Sequence, residues 1–289
     1  MNLRLITDPS TIGEPLTLAR AKAYLNIDLG NTADDDLIAG HISAARIMAE
    51  TVNGRQMAAA QFEVAFDAWP GTLPVGMTSI SSPYFGFWPS DAYLLYNGTR
   101  PVKSALALTA PLTSVQSLGY TDASGTWHAM MENTDYVVDV MKEPGIIAPT
   151  YNKSWPTADL WPTSAIRCKF TSGYGTYSGT VNTSGTAVTL VSGFQFSPLF
   201  DGRLITINGQ QYTFTYATAA TGTLSDTAGT QSAVAYSLDF SPPAPIATGM
   251  NRLVSQWYEK RMPFDAIRFV AEIPFDVSAL FQHDMLVRF

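Results

Sequence analysis

The chain has 289 residues, of which 46% are hydrophobic and only 14% charged, and 17 basic against 24 acidic side chains leave a net charge of −7. That balance argues against a non-specific grip on a phosphate backbone, which needs clustered Lys and Arg, and a single cysteine, Cys168, excludes an intramolecular disulfide framework. A charged fraction below the quarter or so usual for soluble domains suits a chain of one large or two smaller domains that rests against neighbours.

The N-terminal segment meets Asp8 and Pro9 too early for a secretory h-region, and no apolar run approaches the roughly 20 residues that cross a bilayer. The expected setting is a cytosol, or a particle assembled in one. Thr17 can cap a short helix over 18–25, with Leu18, Ala21 and Leu25 on one face. After Gly30, Asn31 and Thr32, the run Asp34-Asp35-Asp36 opens a helix of about five turns towards Val52. Its positions Ile38, Ile42, Ala45, Ala49 and Val52 keep steps of three and four, and Gly54 is placed to stop it.

Residues 61–67 alternate as a half-buried strand. Pro70, Pro74, Pro83, Pro89 and Pro101 reject central strands over 69–110, which reads as a long loop or excursion. Within it, Tyr84-Phe85-Gly86-Phe87-Trp88-Pro89 either packs under its own loop or offers aromatic anchors to a protein partner. Strand character returns over 115–120, turns at Asp122-Ala123-Ser124-Gly125 and runs back through 127–131 as a β-hairpin. Segments 136–140, 146–147 and 166–170 add short strands, with Cys168 expected as a small buried apolar residue.

Composition changes at residue 177. As far as 238 the chain is rich in Thr, Ser, Gly and Ala, and its only charges are Asp201, Arg203 and Asp226. Runs at 187–191, 204–207 and 212–216 read as strands, and Asn208-Gly209 between the last two is a strong hairpin signal. The segment looks like an independent small β-module, closed off by Pro242, Pro243 and Pro245 as a stiff exit linker. Ile246, Met250, Leu253, Val254 and Trp257 then form the apolar stripe of a late helix ending in Trp257-Tyr258-Glu259-Lys260-Arg261 and stopped by Pro263. One more short helix is expected over 273–281, with 285–289 reaching out as an arm.

Residues in a pattern that could carry chemistry are few. His41, His128 and His283 have no second ligand at a metal-binding interval. The run Asp34-Asp35-Asp36 lacks the alternating ligands of a calcium loop and fits the positive end of a helix dipole. Gly173-Tyr174-Gly175 with Gly179 has the wrong spacing for a dinucleotide, and no Walker motif, nucleophile elbow or kinase set occurs. Lys260, Arg261, Arg252 and Arg268 gather around the late helix, as a solvated or inter-subunit face would. No catalytic, cofactor or metal site is expected, and the chain reads as non-enzymatic.

The order of the pieces resembles the phage head–tail connector (adaptor) family. Pro15-Leu16-Thr17-Leu18-Ala19-Arg20-Ala21 through Leu25 is similar to its first helix, and Asp34-Asp35-Asp36-Leu37-Ile38 through Asn53-Gly54-Arg55 to its second helix and following turn. Pro111-Leu112-Thr113-Ser114-Val115 with Tyr120-Thr121-Asp122-Ala123-Ser124-Gly125 and Tyr136-Val137-Val138-Asp139 resembles its central hairpin. Phe170-Thr171-Ser172-Gly173-Tyr174-Gly175, Trp257-Tyr258-Glu259-Lys260-Arg261, and the final Ile273-Pro274 with Ala279-Leu280 complete the likeness, which omits the excursion and the β-module.

The resemblance implies a helical connector core with β-hairpins; with the Thr/Gly-rich segment read as an inserted small all-β domain of sandwich or barrel type, the fold class expected is α+β. The division expected is 1–176 (with the excursion at 70–110) and 240–289 for the core, and 177–239 for the insert. It further implies a homo-oligomeric, dodecameric ring under the portal protein at the head–tail junction of a virion. Tail, tail-nozzle or fibre proteins would lie below, and DNA would pass through the lumen without sequence-specific binding. No membrane and no cofactor are involved, and the acidic balance would discourage DNA from sticking. Contact residues expected on this basis are Ile38 and Ile42 on the second helix, Phe85 and Trp88 in the excursion, and Trp257, Tyr258 and Arg261 on the late helix, with Phe281 and Phe289 on the terminal arm. Two alternatives stand beside it. One is another neck or tail component (stopper, tube or fibre-associated), which the β-module favours slightly. The other is a cell-wall-active enzyme, which would need paired carboxylates facing a cleft; no such pair stands out.

Overall fold

The computed structural model describes residues 2–8, 12–70, 105–259 and 275–282. Strands β1 (Asn2–Leu5), β2 (Ala60–Phe66), β4 (Leu112–Thr121), β5 (Trp127–Met130) and β8 (Ile166–Ser172) make an antiparallel sheet in the order β1-β2-β8-β4-β5. A second antiparallel sheet joins β3 (Leu106–Ala107), β7 (Ile146–Pro149) and β6 (Tyr136–Asp139) in that order. Alternation drives the assembly: Ala60, Phe62, Val64 and Phe66 of β2 are buried, with half-buried residues between them. They join Leu118, Ile147, Ile166 and Phe170 in one apolar cluster, where each large side chain contributes about 1.5–3 kcal/mol. Trp69 and Trp155 stack within it at 4.5 Å between ring centroids.

The remaining six strands close on themselves. They are β9 (Gly175–Ser184), β10 (Ala187–Gly193), β11 (Leu204–Ile207), β12 (Gln210–Thr218), β13 (Thr221–Leu224) and β14 (Gln231–Phe240), and they form an antiparallel barrel in the order β10-β13-β12-β11-β14-β9. Its interior is filled by side chains such as Val181, Phe196, Ile205, Phe214 and Leu238. Asn208 and Gly209 both have positive φ, as a tight turn between β11 and β12 requires. The barrel is rooted through its two long strands: Gly175 at the start of β9 pairs with Phe240 at the end of β14.

Four helices complete the described chain: α1 (Leu18–Tyr24), α2 (Asp35–Asn53), α3 (Ala244–Glu259) and α4 (Phe275–Gln282). The Thr17 hydroxyl caps α1 by accepting the Arg20 amide at 3.2 Å, and Gly54 ends α2 in the left-handed region at φ 79°. These helices share one apolar cluster with the barrel, bridged by Tyr174 and Tyr177 against Phe240.

Two expectations need correction. The part outside the barrel is not built on a helical core: two sheets carry their own apolar cluster, and the helices gather separately against the barrel. Six of their eight strands are legible in the sequence; the helical core was what the resemblance implied, and only β1 and β3, 4 and 2 residues long, escaped the pattern. Pro245 is not linker. It lies in the first turn of α3, where its fixed φ and missing N–H cost nothing. Most of the 70–110 excursion falls outside the described residues, but its end forms β3 and buries Leu108 and Ala110. Pro263 and the arm at 285–289 also lie outside them.

Candidate assembly surfaces

The charged residues of the helix cluster serve mainly to hold it together. The Asp34-Asp35-Asp36 run lies at the start of α2, where carboxylates meet the positive end of the helix dipole. Asp34 accepts the Tyr258 hydroxyl at 2.7 Å, and Asp35 pairs with the buried Lys22 ammonium, which also donates to the Asn31 carbonyl at 2.8 Å. One acidic cluster therefore pins α1 and α3 to the entry of α2.

Along α2, Arg46 donates through Nε to Glu14 at 2.9 Å and through Nη1 to Glu50 at 3.1 Å. Glu50 also accepts from Gln56 Nε2 at 2.8 Å and the Met57 amide at 3.1 Å. Burial pushes the Glu50 carboxyl above the usual range, against the opposing pull of Arg46. At the far end Arg55 pairs with Glu143 and donates to Asn53 Oδ1 at 3.3 Å, while Asn53 Nδ2 donates to the Phe281 carbonyl at 2.8 Å. This chain of contacts ties the end of α2 to α4 and to the loop before β7.

Ile38, Ile42 and Phe281 are enclosed by the chain's own core, so their side chains leave no area for a neighbour to cover. Their stripe is apolar because α1, α3 and α4 already pack on α2. Trp257 and Tyr258 are half-buried against the same cluster, with the Trp257 ring 6.0 Å from that of His41. Phe85, Trp88, Arg261 and Phe289 lie outside the described residues.

Surfaces that pattern reading passed over are plain in three dimensions. On the outer face of α2, Leu37 and Ile47 are 40% and 55% exposed, with Gly40 and Ala44 between them at helical spacing. The five-stranded sheet ends in two strands exposed on both faces: Leu3, Arg4 and Leu5 of β1, and Trp127, His128 and Ala129 of β5. The signal was present in α2, where apolar residues occupy two faces, but periodicity names the more regular face first.

Among the described residues no group of three or more His, Cys, Asp or Glu side chains is placed to hold a metal ion. Burial pushes the Cys168 thiol far above the usual thiol range. Asp122 is held below the usual carboxylate range by hydrogen bonds from the Ser124 hydroxyl, His128 and the Thr126 amide, which make it the staple of the β4–β5 turn.

No family model matches the sequence, and no curated protein does. Solved structures do share the fold. A chain from the neck of an empty gene transfer agent (GTA) particle, computed with C6 symmetry, superposes with a TM-score of 0.54 at 16% identity, covering 100% of this chain and 97% of that one. A chain from the virion of a native GTA particle gives 0.53 with the same identity and coverage. A third, from the neck of a native GTA particle computed with C12 symmetry, gives 0.50, again at 16% identity over 100% and 97% of the two chains. At this identity the likeness establishes the fold: an α+β chain carrying a β-barrel, shared end to end.

Proposed function

We propose that this chain is a structural protein of the neck of a phage-like particle, forming a ring that joins the DNA-filled head to the tail. The observation that carries the proposal is coverage: the shared fold extends over 100% of this chain and 97% of the GTA neck chain, so barrel, sheets and helices correspond as one unit. The symmetries in those structures, C6 and C12, are those of rings. A dodecameric adaptor that contacts the portal above and tail proteins below follows from this reading, with a channel through which DNA passes without sequence recognition. A ring of acidic subunits repels the duplex and lets it slide. The role is non-catalytic, in keeping with a buried thiol and carboxylates committed to helix and turn contacts. The domain division at 177–239 and contact roles for Trp257 and Tyr258 belong to the same proposal.

The test uses particles carrying an epitope-tagged copy of the chain. Gold-labelled antibody should mark the head–tail junction, and heads lacking the chain should fail to accept tails. Label along the tail tube or on fibres, or normal tail joining without the chain, refutes the proposal.

A further inference from the structure

We infer that copies of this chain join edge to edge through the five-stranded sheet, the outer side of β5 in one copy pairing with the outer side of β1 in the next. The inference rests on the neck-ring reading above and deepens it by naming the contact. An open sheet edge is a template for another strand, and isolated proteins blunt such edges with charges, Pro, short strands or covering segments. Both terminal strands are short, at four residues, and β1 carries Arg4, but neither holds a Pro and β5 has no Lys, Arg, Asp or Glu. Among the described residues no strand pairs with the outer side of either.

The ladder geometry shows which groups are free. Ile6 donates its amide to the Gln61 carbonyl at 2.8 Å, and Leu5 lies opposite Phe62. Hydrogen-bonded and non-hydrogen-bonded pairs alternate in antiparallel ladders, so the backbone N–H and C=O of Leu3 and Leu5 point away from β2. At the other edge Asp122 donates its amide to the Thr126 carbonyl at 3.0 Å, and Tyr120 lies opposite His128. By the same alternation the N–H and C=O of Trp127 and Ala129 point away from β4. Each edge thus presents two donor–acceptor pairs, two residues apart, and the two sets match.

The side chains agree with a covered edge. Leu3, Leu5 and Ile6 are exposed on or beside β1, and Trp127 and Met131 on or beside β5. The Trp127 ring is held in place: a Cβ on Gly119 would fall 2.4 Å from its Cζ2, so only glycine lets it lie flat across β4. The indole is still 45% exposed, an aromatic plate held at a sheet edge, as interface anchors are. The five strands alternate in direction, so β1 and β5 run the same way. The small rotation between neighbouring copies of a ring preserves that direction, which makes β5 with the next copy's β1 a parallel, heterologous pair that closes only by completing the circle.

Cysteine cross-linking of the purified full chain tests this. Ala129, bonded to Leu3 and Leu5 in a parallel ladder, would stand beside Arg4 on the same face. Protein carrying Arg4→Cys is therefore mixed with protein carrying Ala129→Cys and oxidised; Cys168 is buried and stays out of reach. Expected is a disulfide-linked pair in the mixture and none with either variant alone. A cross-link within one variant alone signals face-to-face twofold pairing and overturns the inference. Ala129→Pro, which deletes an outward N–H and leaves the β4–β5 ladder intact, should raise the concentration needed for assembly about tenfold with an unchanged melting curve. Rings that form normally with Ala129→Pro and without the cross-link place the contact elsewhere and leave the neck reading standing. Label found away from the neck removes that reading whatever the edges do.

Discussion

Two helical glycines should respond to the same substitution with opposite signs. Gly249 lies in the middle of α3 and Gly40 in the first half of α2. On an isolated helix either glycine replaced by alanine gains about 1 kcal/mol. At Gly40 nothing lies within 4 Å of the added Cβ, so Gly40→Ala should keep most of that gain. At Gly249 the new Cβ falls 2.6 Å from Phe281 Cε1 and 2.9 Å from Cδ1. Phe281 is fully buried, and the Asn53 side chain grips its carbonyl at 2.8 Å, so the ring cannot swing aside cheaply. Overpacking costs about 1–3 kcal/mol, and two contacts under 3.0 Å against a ring that cannot yield place this one in the upper half, about 2–3 kcal/mol; less the helical gain, Gly249→Ala is destabilised by about 1–2 kcal/mol. Urea unfolding of the dilute chain measures both variants, with an unchanged m-value required so that midpoints can be compared. Phe281→Leu should cost less in the Gly249→Ala background than alone, because the shorter side chain relieves the contact. A Gly249→Ala midpoint at or above wild type would show that α4 does not sit against α3 as described.

Arg46→Ala should destabilise by about 1–3 kcal/mol, since it leaves Glu14 and Glu50 facing each other half-buried. Because burial raises the Glu50 pKa, that loss should shrink as pH falls through the raised value and the carboxyl takes up its proton; chemical denaturation at neutral and mildly acidic pH reads it. For Asp122 the sign is reversed: its folded pKa is depressed, so its contribution is present above the ordinary 3.8 and is lost as pH falls below it. Hydrogen exchange at the Ser124 and Thr126 amides should accelerate over that acid range, and Asp122→Asn should remove the dependence. Asn53→Ala should release α4 from α2 at a cost of about 1–3 kcal/mol, seen as faster exchange in α4 before global unfolding. Ile47→Glu should leave the dilute chain within about 0.5 kcal/mol of wild type, because the side chain is exposed; thermal melts check this.

Local signals were readable where the physics is local. The Thr17 cap, the Gly54 stop and the stripe from Ile38 to Ala49 fixed α1 and α2 within a residue or two. The alternation in β2 and the Asn208-Gly209 turn were equally plain. Strands β9, β13 and β14 were not placed, because they earn their definition from partners far along the chain. In β13 the segment Thr221–Leu224 offers a glycine at 222, over which the Phe214 ring of β12 lies. The contact surfaces divided in the same way. Periodicity shows that Ile38 and Ile42 share a buried face, but not whether the cover comes from this chain or another. The fold answers that for Ile38, Ile42 and Phe281, and turns attention to Leu37, Ile47 and the sheet edges.

The pairing of Gly175 with Phe240 bears on how the chain folds. Between β8 and α3 the polypeptide wanders through the whole barrel, a long tether whose closure entropy works against docking α3 on α2. Once the barrel forms, that tether's two ends stand about 5 Å apart, the spacing of one ladder rung. Folding the barrel first converts a distant encounter into a near one. Lesions deep inside it, around Phe196 or Phe214, should therefore slow the docking of helices they never touch.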